Sequence, residues 1–286
     1  ALCYLDSPHL HIGDDTKFNE QVYVGGLQGP ASSVTVGRQS QIQQMTFINP
    51  AVSVTIGDNT SIGGHCLIFG HQSWLSILDG YPVDFRPIDI GSNVGVAWRV
   101  FIGPGAVIGD GAMIGTNSLV NRVIPPRCLA MGTPAKVVAR EPYFPRKIAA
   151  PEKAALLKTV IDNFQEFLSG HGLVCELSHH QLVAQPAPSA PPNSAFSKGL
   201  LKLRCGVADR WSLSAPSAAG TQVVCLSLVR IGATERDDIA RAGALWLDVE
   251  SGECGSANSA FGAEVVQFLR RFGIRFNRIE NAAAEE

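Results

Sequence analysis

Aliphatic residues recur at every sixth position through the first half of the chain, and a glycine commonly stands directly behind them. The run Ile90, Val96, Ile102, Ile108, Ile114 and Val120 is unbroken, with Gly91, Gly103, Gly109 and Gly115 following four of its members. Upstream the same spacing gives Ile56, Ile62 and Ile68, then Val36, Ile42 and Ile48, and more weakly Ile12, Phe18 and Val24. A helical period of 3.6 or a strand period of 2 does not sustain a six with glycine next to it. One short strand plus one tight turn does, because the aliphatic side chain points inward and glycine accepts the turn. Three such units close a triangular coil, and stacked coils bury a continuous aliphatic column. Five coils are expected, and the residues that interrupt them must bulge outward because the column has no room. The longest interruption predicts an extruded loop over residues 71–88.

Composition narrows the classes. Lys and Arg number 23 against 25 Asp and Glu, a balance without the basic excess of a nucleic-acid binder. No apolar run reaches the roughly 18–20 residues that a membrane span requires. The start, Ala-Leu-Cys-Tyr-Leu-Asp, has neither a basic segment nor a continuous apolar one, so no signal peptide is expected. Seven cysteines without a CxxC pair read as reduced thiols in a cytoplasmic protein.

Beyond the repeats the pattern changes. Pro151 opens a helix and Gly170 closes it, with Leu156, Leu157, Val160, Ile161, Phe164, Phe167 and Leu168 as one apolar stripe, expected to pack on the repeat column or on a neighbouring subunit. Residues 185–192 are a Pro-rich loop by composition. Thr221 to Arg230 and Ala244 to Val249 read as strands, Glu264 to Phe272 as a helix, and Ile274 to Phe276 as a last strand. His179 and His180 read as surface residues, since no Cys or carboxylate cluster accompanies them. The organisation expected is a repeat domain over 1–140, a connecting segment with its helix over 141–172, and a small α/β domain of unassigned role over 173–286.

Ile90-Gly-Ser-Asn-Val, then Ile102-Gly-Pro-Gly-Ala-Val-Ile-Gly-Asp-Gly-Ala-Met-Ile-Gly, then Val120-Asn-Arg-Val-Ile-Pro-Pro and Gly132-Thr-Pro-Ala-Lys-Val-Val together resemble the hexapeptide-repeat acyltransferases. The branch is that of maltose/galactoside acetyltransferases and polysaccharide O-acetyltransferases. The resemblance implies an all-β left-handed parallel β-helix, here with a C-terminal helix and the second small α/β domain. It also implies a homotrimer with active sites between neighbouring prisms. Acetyl-CoA is then the acyl donor, and a hydroxyl of a sugar or polysaccharide precursor the acceptor.

Acyl transfer from a thioester to an alcohol needs a base, oxyanion donors and a slot for the carrier. His71, in Ile68-Phe-Gly-His-Gln-Ser-Trp, stands where the family places its catalytic histidine, at the end of a coil before the extruded loop. His65 occupies the corner before it and is expected to point elsewhere. The resemblance assigns Arg122 and Lys136 to the phosphate or adenine end of coenzyme A, with Asn121 beside Arg122, and the backbone at Ala97 and Thr116 to the pantetheine arm. Trp98 falls where the family has a small residue; it either stacks along the carrier or obstructs it. Trp74, Tyr81, Asp84 and Arg86 on the loop are candidate acceptor contacts, and Asp79 or Asp84 is a candidate to orient His71. Cys66 is near but expected to face inward, so direct transfer without a covalent intermediate is expected. No metal is expected: the hexapeptide carbonic anhydrases pair histidines five apart, whereas His65 and His71 are six apart and His9 and His11 precede the first coil. Two other readings stay open, N-acetyl transfer to an amino sugar and a catalytically degenerate trimeric scaffold whose C-terminal module binds a partner.

Overall fold

The computed structural model describes residues 2–178, 181–186, 201–206, 221–256 and 259–279. It divides into two compact units, Ala1–Lys147 and Ile148–Glu286. The positions of His179, His180 and most of the Pro-rich 185–192 stretch lie outside the described residues.

The first unit is a stack of coils whose strands sort into three parallel sheets. The first face holds His9–Ile12, Ser33–Val36, Ser53–Ile56, Ile88–Ile90, Val107–Ile108 and Val123–Ile124. The second holds Lys17–Phe18, Gln41–Ile42, Ser61–Ile62, Gly95–Val96, Met113–Ile114 and Cys128–Met131. The third holds Tyr4–Leu5, Tyr23–Val24, Phe47–Asn49, Leu67–Phe69, Phe101–Ile102 and Leu119–Val120. Each sixth-position aliphatic pairs with its equivalent in the next coil, Ile56 with Ile90 and Ile90 with Ile108, for example. From Val24 onward these residues form one buried core, with Phe18 packed partly buried against it.

The passages from first to second face and from second to third keep a step of six from one inward position to the next in every coil, as in 56, 62 and 68 or 90, 96 and 102. A residue with φ near +55 to +60° turns most of these corners, among them Asn59, His65, Asn93 and Arg99. Length varies only on the return from third to first face. There residues 25–32, 50–52 and 70–87 emerge, while 121–122 make a shortened connection. That return is called the insertion edge below, and the edge between second and third faces the tight edge. After Val120 the shortened step leads to Ile124 and Ala130, both buried, which add a partial sixth coil. The antiparallel strand Lys136–Arg140 then closes that end.

On the second face a hydroxyl residue two positions before the inward aliphatic ties the first three coils to the next. Thr16, Ser40 and Thr60 donate their hydroxyls to the carbonyls of Gly37, Gly57 and Gly91 at 2.6, 2.8 and 2.8 Å. Each hydroxyl oxygen in turn accepts an N–H from the next coil, Ser40, Thr60 and Val94 respectively. These hydroxyls satisfy backbone N–H and C=O groups between the coils from Thr16 to Val94.

The second unit carries a seven-stranded sheet whose spatial order follows the chain: Leu173–Ser178, Gln181–Pro186, Leu201–Gly206, Gln222–Ser227, Leu245–Asp248, Glu253–Cys254 and Asn277–Arg278. Helices α1 (Ala150–Gly170) and α3 (Ala260–Arg270) share a core with this sheet, while Ile239 of α2 (Ala233–Arg241) packs with Cys225 and Trp246 in a separate cluster. The apolar stripe of α1 was expected on the repeat column or a neighbouring subunit. It instead covers Leu173, Leu182 and Leu201, because the strands of 173–206 offer it an apolar face within its own unit. Leu156 departs from the stripe and is exposed. The last strand is Asn277–Arg278 instead of Ile274 to Phe276, whose Phe276 serves the core. Helix α2 and the three strands between 173 and 206 had no counterpart in the sequence reading.

Candidate active site

His71 begins the longest excursion. The chain leaves the third face at Phe69, pairs His71–Gln72 with Asp84–Phe85 in an antiparallel hairpin, and resumes the first face at Ile88, one residue inside the loop expected from spacing. Ser76 caps a short 3₁₀ turn, Ile77–Asp79, at the far end. Phe69 and Phe85 flank the His71 ring, their centroids 5.8 and 6.0 Å away. The Nδ1 atom of His71 is buried without a hydrogen-bond partner among the described residues. Burial lowers its proton affinity from the ordinary imidazole value.

Neither carboxylate expected to orient His71 does so in the described contacts. Asp84 is turned to Arg86, whose Nε lies 2.8 and 2.9 Å from its two oxygens, and this guanidinium holds the carboxyl below its usual range. The same guanidinium lies against Gly105, where a Cβ would collide with it. Asp84 and Arg86 therefore fasten the hairpin to the coil as well as lining it. Trp74 and Tyr81 stand exposed on the loop, Trp74 at 96 %. Cys66 is fully buried and burial pushes its thiol up, so no thiolate is at hand there.

The remaining candidates fall on two different edges. Asn121 and Arg122 are exposed on the insertion edge, the edge that carries His71. Ala97, Trp98 and Thr116 belong to the tight edge, which continues into Gly132 and Thr133 through Leu119 N–H to Gly132 O and Thr133 Oγ1 to Asn117 O. Lys136 follows, exposed, at the start of the closing strand. The Trp98 indole is folded back over Gly64 of the preceding coil, with its ring 6.0 Å from that of His65. Within one chain His71, Asn121 and Arg122 thus lie on one edge of the third face, and Ala97, Trp98, Thr116 and Lys136 on the other. Among the described residues no three His, Cys, Asp or Glu side chains converge as metal ligands, and no helix is long and apolar enough to cross a membrane.

The first unit is a column of six-residue repeats with a histidine at its insertion edge and a Gly-Thr-Pro-Ala-Lys closure. No family model matches the chain. It is 34 % identical over 109 residues to the galactoside O-acetyltransferase of Escherichia coli K12, covering 37 % of this chain and 54 % of that one. A Schizosaccharomyces pombe protein named provisionally as an acetyltransferase is 32 % identical over 105 residues, covering 33 % of this chain and 46 % of its own. A solved galactoside acetyltransferase in complex with coenzyme A shares 25 % identity over 46 % of this chain and 64 % of its own, with a TM-score of 0.37. The chain spans about half the length of the curated relatives it matches. Both curated relatives are named as acetyltransferases, the class of enzyme that the repeat motifs resemble.

Proposed function

We propose that this protein transfers an acyl group from acyl-CoA, with acetyl-CoA as the donor, to a hydroxyl of a sugar or polysaccharide precursor, and that its column coils in the left-handed sense of the family. The observation that carries the reading is His71 at the root of the extruded hairpin, an imidazole flanked by Phe69 and Phe85 whose proton affinity burial lowers. In this reading the acceptor oxygen attacks the thioester carbonyl and its proton passes to His71. The carbon–oxygen bond forms, the carbon–sulfur bond breaks, and the proton is returned to the departing thiolate of coenzyme A. Backbone at Ala97 and Thr116 follows the pantetheine arm, and Lys136, Arg122 and Asn121 meet its charged end. Trp98 leans on the coil before it, which supports stacking beside the carrier over obstruction of it. Trp74 and Tyr81 offer an aromatic wall to the acceptor, with Asp84 and Arg86 at its base.

His71, Asn121 and Arg122 lie on one edge of the third face and Ala97, Trp98, Thr116 and Lys136 on the other, so the base and the full set of carrier residues converge only when the insertion edge of one copy meets the tight edge of another. A homotrimer supplies that juxtaposition at each of its three clefts, and we infer this assembly.

Two measurements test the reading. Coenzyme A at millimolar concentration is expected to raise the melting temperature, and Lys136→Ala to abolish the shift. Acetyl transfer, screened over nucleotide sugars and glycans, is expected to fall by roughly 10²–10⁴-fold in His71→Ala. Turnover within a few-fold of the parent removes His71 from its role. Transfer confined to amino sugars moves the activity to nitrogen, and no coenzyme A shift at all favours the scaffold reading.

A further inference from the structure

We infer that Phe85 is a positioning residue for His71, and that the extruded loop holds the imidazole between aromatic rings where other catalytic histidines are held by a carboxylate or carbonyl. The inference rests on the reading of His71 as the base. His71 and Phe85 face each other in the antiparallel register of the hairpin, their planes only 18° apart. Phe69, two residues before His71, flanks it in turn. Phe69 itself continues a file of rings down the third face, through Phe47 at 5.0 Å and Tyr23 at 4.8 Å from Phe47, so it is braced from below. With Nδ1 buried and unpartnered, ring packing is what remains to fix the imidazole.

The strand that brings Phe85 is itself anchored to the coils. Arg86 N–H donates to Gly70 O at 3.2 Å, and Gly105 N–H donates to Pro87 O at 3.2 Å. Gly105 has a φ of +72° and no side chain, which lets the Arg86 guanidinium lie flat on the corner while it grips Asp84. The charged groups facing His71 are few. Asp84 and Arg86 on the partner strand are locked to each other, Asp79 stands at the far turn of the loop, and Leu67–Phe69, Phe47–Asn49 and Phe101–Ile102 carry none. The environment of the imidazole is thus set by its aromatic walls, and burial is the cause of its lowered proton affinity.

The test is an NMR titration of the His71 ring in the full chain, its resonance assigned by its loss in His71→Ala, alongside kinetics. In the parent the midpoint is expected below the ordinary value of about 6.5. Phe85→Ala should raise it toward that value by opening the ring to water, whereas Phe85→Leu and Phe85→Tyr, which keep the burial, should hold it near the parent's. In parallel kcat is expected to fall about tenfold in Phe85→Ala and Phe85→Leu, with KM for the donor unchanged and Phe85→Tyr restoring it, because a base without its stacked ring loses orientation without losing the carrier site. The acid limb of the pH–rate profile should move up with the midpoint. Phe85 is 47 % exposed and outside the column, so the variants are expected to keep the parent's melting temperature. Asp84→Asn should leave the titration midpoint in place. A midpoint that ignores Phe85→Ala, or that drops in Asp84→Asn, overturns the inference. Full turnover in His71→Ala overturns the base reading alone, and the titration still decides whether Phe85 holds the ring.

Discussion

Trp98 rests on Gly64, one coil below it: a Cβ built on Gly64 would come within 2.6–2.9 Å of three atoms of the indole six-membered ring. The absence of a side chain at Gly64 is what gives the indole its place at the tight edge. Gly64→Ala is expected to displace the ring and destabilise the protein by about 1 kcal/mol, since an exposed indole can shift but loses its contact surface. In a Trp98→Ala background the same substitution should cost nothing measurable. Denaturant melts of the four proteins in the cycle give the coupling, and an equal cost in both backgrounds refutes the contact. If the proposed carrier site is right, the displaced indole should also change the coenzyme A shift.

The hydroxyl ladder sets a second expectation. Thr60 Oγ1 donates to Gly91 O at 2.8 Å and accepts Val94 N–H at 3.2 Å inside the stack, whereas Thr55 faces solvent on the preceding strand. Thr60→Val should cost about 1–3 kcal/mol because it leaves a buried carbonyl and a buried amide without partners. Thr55→Val should stay within about 0.5 kcal/mol of the parent. Thermal or urea melts that rank the two alike would show that the ladder contributes nothing.

The aliphatic column predicts a gradient along the stack. Ile62 is fully buried between coils on either side, so Ile62→Ala should cost about 2–5 kcal/mol through lost burial and the cavity left behind. Ile12 occupies an inward position in the first full coil yet is 37 % exposed, for no complete coil lies below it. Ile12→Ala is expected to cost less than half as much, and the comparison is made by urea melts. Equal losses would mean that the open end is covered in solution.

The sequence made the column legible because one mechanical constraint repeats. Six residues per side returns an aliphatic to the axis wherever no residues are added or lost at a corner, and 56, 62, 68 or 108, 114, 120 report it without interference. The partial sixth coil was hidden because the step from Val120 to Ile124 is four residues, which breaks the phase even though Ala130 restores it. His71 could be located because it marks the point where the period stops. Phe85 could not be: it joins His71 only through hairpin pairing across a loop whose sequence carries no periodicity. Asp84 and Arg86 looked like free polar groups until the fold showed them gripping each other. In the second unit α2 was missed because Ala233–Arg241 buries only Ile239, too little to imprint an apolar stripe on a helix dominated by charges.

Asp248 in the second unit gives the last expectation. It ends the strand Leu245–Asp248 fully buried, where it accepts Ile231 N–H at 2.9 Å, Glu250 N–H and Ser251 N–H at 3.0 Å, and Arg236 Nη2 at 3.0 Å. Burial alone would raise its pKa, but these donors outweigh it and hold the carboxyl below its usual range. Arg236 also pairs with Glu253 at 2.8 Å and lies over the Trp246 ring, so one carboxylate organises the turn, the arginine and the indole together. A depressed folded value means that the unfolded chain binds the proton first as pH falls. The stabilisation is therefore complete above the unfolded carboxyl's value near 3.9 and is lost as pH drops from there through the folded value. Asp248→Asn keeps the shape but cannot accept from so many donors, and it should destabilise this unit by about 3 kcal/mol at neutral pH. Its melting temperature should also lose the acid-side decline that Asp248 contributes to the parent. Thermal melts of parent and variant between pH 7 and pH 3 decide it: parallel curves would show that Asp248 enters folding with its proton affinity unchanged.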